Sequence, residues 1–207
     1  MSSGRLKNTR VCGKIVICLV AAATAAACGN NYDQLERDRT TIETFLDRHT
    51  IETGEYDVID NVFRYVANVD RPQRDRSPVV ARGDEVEFYY EAYAFAATLN
   101  MAAGHYNPTL IFATNRPETL DFLCNQQLMG QRAAWNRTIW PEEPVRVRAG
   151  DATVVEGVRR GLLGCREGDH VWLFFVSDLG FGEEQHGTVA KNQILAYRIY
   201  IENVTKR

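Results

Sequence analysis

The sequence is short of the residues that build metal centres and disulfide scaffolds. Among 207 residues there are only five cysteines and four histidines. The chain contains no Cys-x-x-Cys pair and no His-Glu-x-x-His motif, and its histidines are scattered. Because metal sites in proteins show characteristic ligand spacings, we expect no metal centre.

An excess of basic residues is also missing. The chain has 24 Lys and Arg residues against 27 Asp and Glu residues, which gives a net charge of −3. Residues 1–27 hold four basic residues and no acidic one, so the remainder has 20 basic and 27 acidic residues and a charge of −7. Nonspecific nucleic-acid binding needs a cationic surface that displaces counterions. We therefore expect no nucleic-acid partner.

The uncharged run near the N-terminus is too short to cross a bilayer as a helix. Residues 15–27, IVICLVAAATAAA, would extend about 20 Å, against a hydrocarbon core about 30 Å thick. Basic residues precede the run, and small residues end it at Cys28. This arrangement resembles the signal of bacterial lipoproteins, in which the cysteine is lipidated and begins the mature chain. A plain secretory signal and an uncleaved anchor are the alternatives.

The lipoprotein resemblance implies a signal peptide over residues 1–27 and membrane attachment through lipidated Cys28. The protein would then belong to the cell envelope and face the periplasm or the exterior. Cys124 and Cys165 would remain in the mature chain. They either form one disulfide in an oxidising compartment or stay buried as free thiols.

The first part of the mature chain has the pattern of one helix. Over residues 31–49, apolar side chains recur on one face and charged side chains on the other, which predicts an amphipathic helix. Residues 50–55 break the pattern. Residues 58–69 are predicted to form a strand, and residues 70–78 a polar turn or linker with two prolines. We assign residues 28–79 to an N-terminal helix and linker.

From residue 80 onward the pattern is mostly that of strands. In the first of them, Val86, Phe88 and Tyr90 alternate with glutamates. A short strand over residues 145–148 and a helix over residues 153–163 follow. Strands over residues 171–176 and 194–204 end the chain. This order predicts an α+β fold in which an antiparallel sheet wraps around one short helix.

Several parts of this region resemble the FKBP-type peptidyl-prolyl isomerases. Residues 154–187 begin VVEGVRRGLLG and carry glycines at the spacing of that family, namely Gly157, Gly161, Gly168 and Gly182. Residues 83–90 resemble the family's early Gly-Asp strand, and Phe112 resembles the phenylalanine of its Phe-Asp-Ser-Ser stretch. The resemblance implies an FKBP-like domain over residues 80–207 with an insertion around residues 113–144. With its signal and leading helix, the chain also resembles FKBP-like lipoproteins of Bacteroidetes-type bacteria.

The resemblance also implies a substrate site, an apolar cup that surrounds a proline ring. Its catalytic residues would be Tyr90, Phe112, Val155, Val158, Phe181 and Tyr197. Its further substrate-binding residues would be Val145, Val154, Val189 and His186. The family needs no cofactor, since rotation about a peptide bond uses no nucleophile and no proton relay. The implied partners are proline-containing polypeptide clients.

Three positions depart from the family pattern. Val158 stands where the family usually has an aromatic floor, Ala113 replaces an acid, and Phe181 lacks a tyrosine hydroxyl that binds the substrate carbonyl. We therefore expect a prolyl isomerase of weak activity that assists the folding of extracytoplasmic proteins.

Two other functions remain open. One is a non-catalytic FKBP-like lipoprotein that binds peptides or acts as a chaperone, and the other is an unrelated small β-rich lipoprotein. Four polar or aromatic residues of the insertion are candidates for recognising a partner peptide, namely Asn115, Arg116, Trp135 and Trp140.

Overall fold

The computed structural model describes residues 32–49, 56–125 and 141–207. The chain divides into two compact units, Met1–Arg37 and Asp38–Arg207. The described part of the first unit is helical, and Arg37 donates a hydrogen bond to Gln34 within it, at 3.1 Å. The predicted signal, Cys28, the break at residues 50–55, Trp135 and Trp140 all lie outside the described residues.

The second unit is built on an antiparallel sheet of seven strands, β1 to β7. They are Asp57–Ile59, Val62–Val66, Glu85–Ala94, Ile111–Thr114, Val145–Arg148, His170–Phe175 and Leu195–Thr205. The strand order is β1-β2-β6-β7-β3-β4, and β5 also pairs with β3. The described residues contain three α-helices, α1 over residues 32–49, α2 over Pro117–Asn125 and α3 over Glu156–Gly161. The predicted α+β class and antiparallel sheet are confirmed.

Residues 57–66 form a hairpin rather than the single strand that the apolar pattern predicted. Ile59 pairs with Val62, and Asp60 and Asn61 form the turn with φ values of 48° and 66°. Aspartate and asparagine tolerate this left-handed conformation better than most residues, which favours a two-residue hairpin turn. Because β2 pairs with β6, the sheet begins well before residue 80.

The stretch over residues 70–78 is not a free linker, because an ion pair to a buried carboxylate and a hydrogen bond hold it against the sheet. Arg74 donates two hydrogen bonds of 2.8 Å to the carboxylate of Asp169, which is fully buried just before β6. Arg71 donates to the backbone carbonyl of Glu167 at 2.6 Å. The partners are more than 90 residues apart in sequence, so local composition could not reveal them.

Helix α3 packs on one face of the sheet, as predicted, but is shorter than the predicted range of 153–163. Gly157 and Gly161 lie directly above Phe175 and Leu173 of β6, where a side chain would have no space. These two glycines of the predicted motif therefore allow a close approach of helix to sheet. Val158 and Leu162 are buried by the same contact.

The opposite face of the sheet is covered as well. Ile42, Phe45 and Leu46 of α1 are buried, and the Phe45 ring contacts Phe95 and Phe174 at centroid distances of 5.0 and 5.6 Å. Sequence patterns did not predict α2, which begins at a proline with Glu118 in its first turn, both typical of a helix start. In the described part of the chain, no helix is long and apolar enough to cross a membrane.

Candidate active site

A mainly apolar cavity of about 290 Å³ opens beside α3. Eight residues line it: Phe88, Tyr90, Val145, Thr153, Val154, Val155, Val158 and Tyr197. Six of them are residues that the sequence assigned to the site. The sequence positions of these six span more than 100 residues, and the sheet brings them together.

Each side of the cavity comes from a different element. Phe88 and Tyr90 are two residues apart on β3, so both point to the same face of the sheet. Tyr197 of β7 is opposite Ala92 on that same face, and Val145 begins β5 beside Phe88. Val155 precedes α3 in extended conformation, which allows the chain to turn from the sheet edge into the helix that carries Val158.

Aromatic rings continue the cavity wall on one side. The Tyr197 ring lies 6.0 Å from Tyr90 and 6.2 Å from Phe112, measured between centroids. The Phe112 ring in turn lies 6.0 Å from Phe181, and Phe181 stacks on His186 at 4.3 Å. Phe112, Phe181 and His186 thus form a chain of rings that leads from Tyr197 to the 181–187 loop.

The arrangement is an apolar cup with aromatic walls and a family comparison identifies its type. Residues 119–202 match the model of the FKBP-type peptidyl-prolyl cis-trans isomerases. This segment of the chain is similar to an FKBP-type domain. The match contains α3, β5, β6 and Tyr197, whereas Tyr90 and Phe112 precede it. The resemblance inferred from the residues is confirmed, and a Bacteroidetes-type lipoprotein remains an expectation.

Solved structures were compared with the chain as well. FkpA from Escherichia coli has a TM-score of 0.48 and 13% identity, covering 93% of this chain and 70% of its own. A peptidyl-prolyl cis-trans isomerase from Pseudomonas syringae pv. tomato has a TM-score of 0.46 and 16% identity, covering 84% of this chain and 96% of its own. A search of the curated proteins found no match.

Val189 does not line the cup. Its side chain is 1% exposed, and its backbone exchanges two hydrogen bonds with His186 that close the 186–189 turn. The structure therefore places Val189 in the turn beside the cup, and its assignment as a substrate contact stays a prediction. His186 is exposed and reaches the cup only through its stacking on Phe181.

Two cavity residues were missed by the sequence reasoning. Phe88 precedes Tyr90 by two positions, so the period of a strand already placed both on one face. Thr153 directly precedes Val154 and also lines the cup. The sequence gives no comparable signal for Thr153, because a polar residue beside an apolar helical stretch does not by itself indicate a cavity.

The electrostatics of the cup are simple, because none of the described residues that line it is charged. Burial raises the pKa of Tyr90 and, more strongly, the pKa of Tyr197, so both phenols stay neutral at physiological pH. Within the described residues neither hydroxyl has a hydrogen-bond partner. Both are therefore free to bind a polar group of a ligand that enters the cup.

A second cavity, of about 360 Å³, lies on the opposite face of the sheet and is polar. Arg116 is part of its lining and donates hydrogen bonds to Tyr200 at 2.6 Å and to the buried Glu91 at 3.2 Å. Asn115 is 3% exposed and bound to backbone groups. The amide of Asn115 is therefore used within the fold, whereas Arg116 lines the polar cavity, and peptide recognition by either residue stays a prediction.

Proposed function

We propose that this protein is a peptidyl-prolyl cis-trans isomerase that assists the folding of extracytoplasmic proteins. The observation that carries the proposal is the apolar cup between β3, β5, β7 and α3, in a chain that matches the FKBP-type family. Its substrates would be polypeptides that place a proline ring against Val155, Val158 and Tyr197. Uncatalysed isomerisation takes tens to hundreds of seconds, so a catalyst is useful to a folding chain.

An apolar cup can accelerate this rotation without any covalent step. The barrier to rotation about an amide is about 18–20 kcal/mol because the planar form is stabilised by resonance. The twisted amide has lost this resonance and its charge separation, so it is less polar than the planar form. A site without charged groups therefore favours the twisted amide over the planar substrate, which is preferential binding of the transition state.

The phenols of Tyr90 and Tyr197 supply the polar contacts of this proposal. Each hydroxyl can donate to a carbonyl of the bound peptide and fix its orientation, the role that Phe181 cannot perform. A neutral hydrogen bond of this kind contributes about 0.5–1.5 kcal/mol. Val158 leaves the floor of the cup small, so a proline ring packs against fewer atoms than it would against an aromatic floor. We therefore expect turnover below that of a family member with an aromatic floor.

The test is an isomerisation assay with the purified protein and a short peptide that has leucine before proline. Phe112→Ala is the informative variant, because Phe112 is half-buried and contacts the Tyr197 ring. Phe122→Ala is its matched control, because Phe122 is also half-buried but packs on Tyr106. We expect acceleration that Phe112→Ala reduces and Phe122→Ala retains. Equal loss in both variants would place the activity elsewhere.

A binding protein without catalysis is the second candidate, and the small floor at Val158 favours it. In that case the peptide would bind to the cup with no acceleration of its isomerisation. Tryptophan or tyrosine fluorescence titrated with the same peptide separates the two functions. Saturable binding that Phe112→Ala weakens, together with an unchanged isomerisation rate, would select the chaperone function.

Membrane attachment through Cys28 is the remaining part of the proposal, and the sequence of residues 15–28 supports it. Two or more acyl chains anchor a protein stably, because each buried methylene contributes about 0.8 kcal/mol. Cells fed radiolabelled palmitate should label the wild type, and a Cys28→Ala variant should remain unlabelled. Label retained in the variant would exclude lipidation at this residue.

A further inference from the structure

The cup stands beside a break in the sheet. One edge of β3 pairs with β7 along the whole strand. The other edge pairs with β5 from Glu85 to Phe88 and with β4 from Glu91 to Tyr93. Tyr89 and Tyr90 fall between the two partners, so among the described residues no strand pairs with this part of β3 on that edge.

The side chain of Asn115 fills this break. Its Oδ1 accepts a hydrogen bond of 2.7 Å from the backbone N–H of Tyr90. Its Nδ2 donates to the backbone carbonyl of Glu143 at 2.8 Å and to that of Phe88 at 3.4 Å. One amide therefore connects the end of β4, the middle of β3 and the segment that enters β5.

Every segment joined in this way carries part of the cup. Phe88 and Tyr90 line the cavity from β3, and Val145 lines it from β5, two residues after Glu143. Phe112, whose ring contacts Tyr197, lies on β4 three residues before Asn115. The hydroxyl of Thr114 adds a hydrogen bond of 2.7 Å to the carbonyl of Tyr90.

We propose that Asn115 is a positioning residue that holds the β3, β4 and β5 walls of the cup at the separation the substrate requires. The side chain is 3% exposed, so it acts through these segments and does not touch the substrate. This inference rests on the proposed function for its activity readout. Small displacements of catalytic groups have large effects, since a shift of about 1 Å can lower a rate about 100-fold.

The first experiment compares Asn115→Ala with Asn68→Ala in the full-length protein, with the leucine-proline peptide as the probe. Asn68 is the matched control, because its side chain also accepts from one backbone N–H, of His170, and donates to one carbonyl, of Gly168, both at 2.9 Å. It lies outside the cup. At equal folded fraction, measured by urea denaturation, we expect kcat/KM to fall about 10-fold to 100-fold in Asn115→Ala only.

A second variant separates positioning from mere stability. Asn115→Asp has the same shape, and its protonated form keeps one acceptor for Tyr90 and one donor for Glu143. Ionisation removes that donor, and burial against carbonyl oxygens raises the pKa of such an acid. Relative to wild type, its kcat/KM should be near normal at low pH and fall as pH rises. Arg116, Glu143 and Tyr90 are the titratable residues nearest in sequence or contact. Both proteins contain them, so their own effects on the pH profile cancel when the kcat/KM of the variant is divided by that of wild type.

The outcomes are distinct. An Asn115→Ala variant as active as Asn68→Ala, or an Asn115→Asp variant without pH dependence, would overturn the inference while leaving the proposed function intact. An inactive wild type would overturn the proposed function instead. Amide hydrogen exchange at Tyr90 then decides the inference: we expect at least 10-fold faster exchange in Asn115→Ala with a shift of the Val145 methyl resonances. Unchanged exchange would refute it.

Discussion

Replacing Gly157 by alanine tests how α3 forms the cup. A Cβ at this position would lie 2.2 Å from Cγ of Phe175 and 2.4 Å from its Cδ atoms. Ordinary contact begins at 3.4 Å, so the helix or the ring must move by about 1.2 Å. Phe175 is fully buried and stacks on Tyr197 at 5.6 Å. The ring therefore has little freedom, and we expect α3 to move.

Two effects of this substitution have opposite signs. Alanine has a higher helix propensity than glycine, by about 1 kcal/mol. Overpacking of a buried contact costs about 1–3 kcal/mol and occasionally more. Because the new Cβ would lie about 1.2 Å too close to a ring with little freedom to move, we expect a cost at the upper end of this range. We expect Gly157→Ala to lower the free energy of unfolding by about 2 kcal/mol in urea denaturation. Because Val155 and Val158 move with α3, we also expect kcat/KM to fall at equal folded fraction.

The control is a second substitution that removes the close contact between position 157 and the Phe175 ring. Phe175→Leu removes the ring that the new methyl group would meet, so the double variant should be more stable than the sum of the two single effects by at least 1 kcal/mol. A Gly157→Ala variant about 1 kcal/mol more stable than wild type would show that propensity dominates. That result would refute the close packing of α3 as the origin of the cup.

Three further predictions concern other buried groups. Tyr197→Phe should lower kcat/KM about 3-fold to 10-fold without reducing stability, because its hydroxyl has no partner among the described residues; unchanged kcat/KM would show that the hydroxyl does not bind substrate. Arg74→Ala should cost about 3 kcal/mol in urea denaturation, because it leaves the fully buried carboxylate of Asp169 without its two-bond partner, and a cost below 1 kcal/mol would contradict this. Burial raises the pKa of the Cys165 thiol from 9.0 to about 11, so its contribution to stability is complete below pH 9 and is lost as pH rises toward 11. Wild type should therefore lose stability relative to Cys165→Ala over that range, and parallel curves would refute the assignment.

The parts of the fold that the sequence predicted are those with a local signal. Alternation identified β3, β5 and β7, and continuous apolar sequence identified β6, because a strand has a period of two and a buried strand is apolar on both faces. Apolar residues at helical spacing, among them Val158 and Leu162, indicated α3. The contacts of Gly157 and Gly161 with Phe175 and Leu173 explain why no larger residue fits there. The cup residues followed from the same elements.

Other features depend on contacts between distant residues, and local patterns cannot report them. The 70–78 segment contains two prolines and several charges, which is the composition of a linker, yet Asp169 holds it through Arg74. Asn115 lies in a polar stretch that was assigned to peptide recognition, and only the pairing of β3 with two strands reveals its position. Conversely, the Asp60-Asn61 turn had a recognisable local signal that the apolar pattern around it obscured.

Glu91 shows that a glutamate in an alternating strand pattern can be buried instead of facing solvent. In β3 the glutamates alternate with apolar residues, which is typical of a solvent-facing side. Glu91 is nevertheless 0% exposed, because Thr119 of α2, Tyr93 and Arg116 all donate hydrogen bonds to its carboxylate. Burying a carboxylate is costly unless partners compensate for lost hydration, so α2 can cover this face only with these donors in place.

The adjacent residue, Tyr90, faces the neutral cup on the other side of the strand. The two environments share the backbone of β3, the strand β7, whose Arg198 lies 3.6 Å from Glu91 and whose Tyr197 lines the cup, and the β4–α2 connection, which contains Asn115. Thr119→Ala, which removes the donor that α2 supplies, should therefore reach the cup by displacing that connection, and its effect on activity should resemble a weaker form of Asn115→Ala.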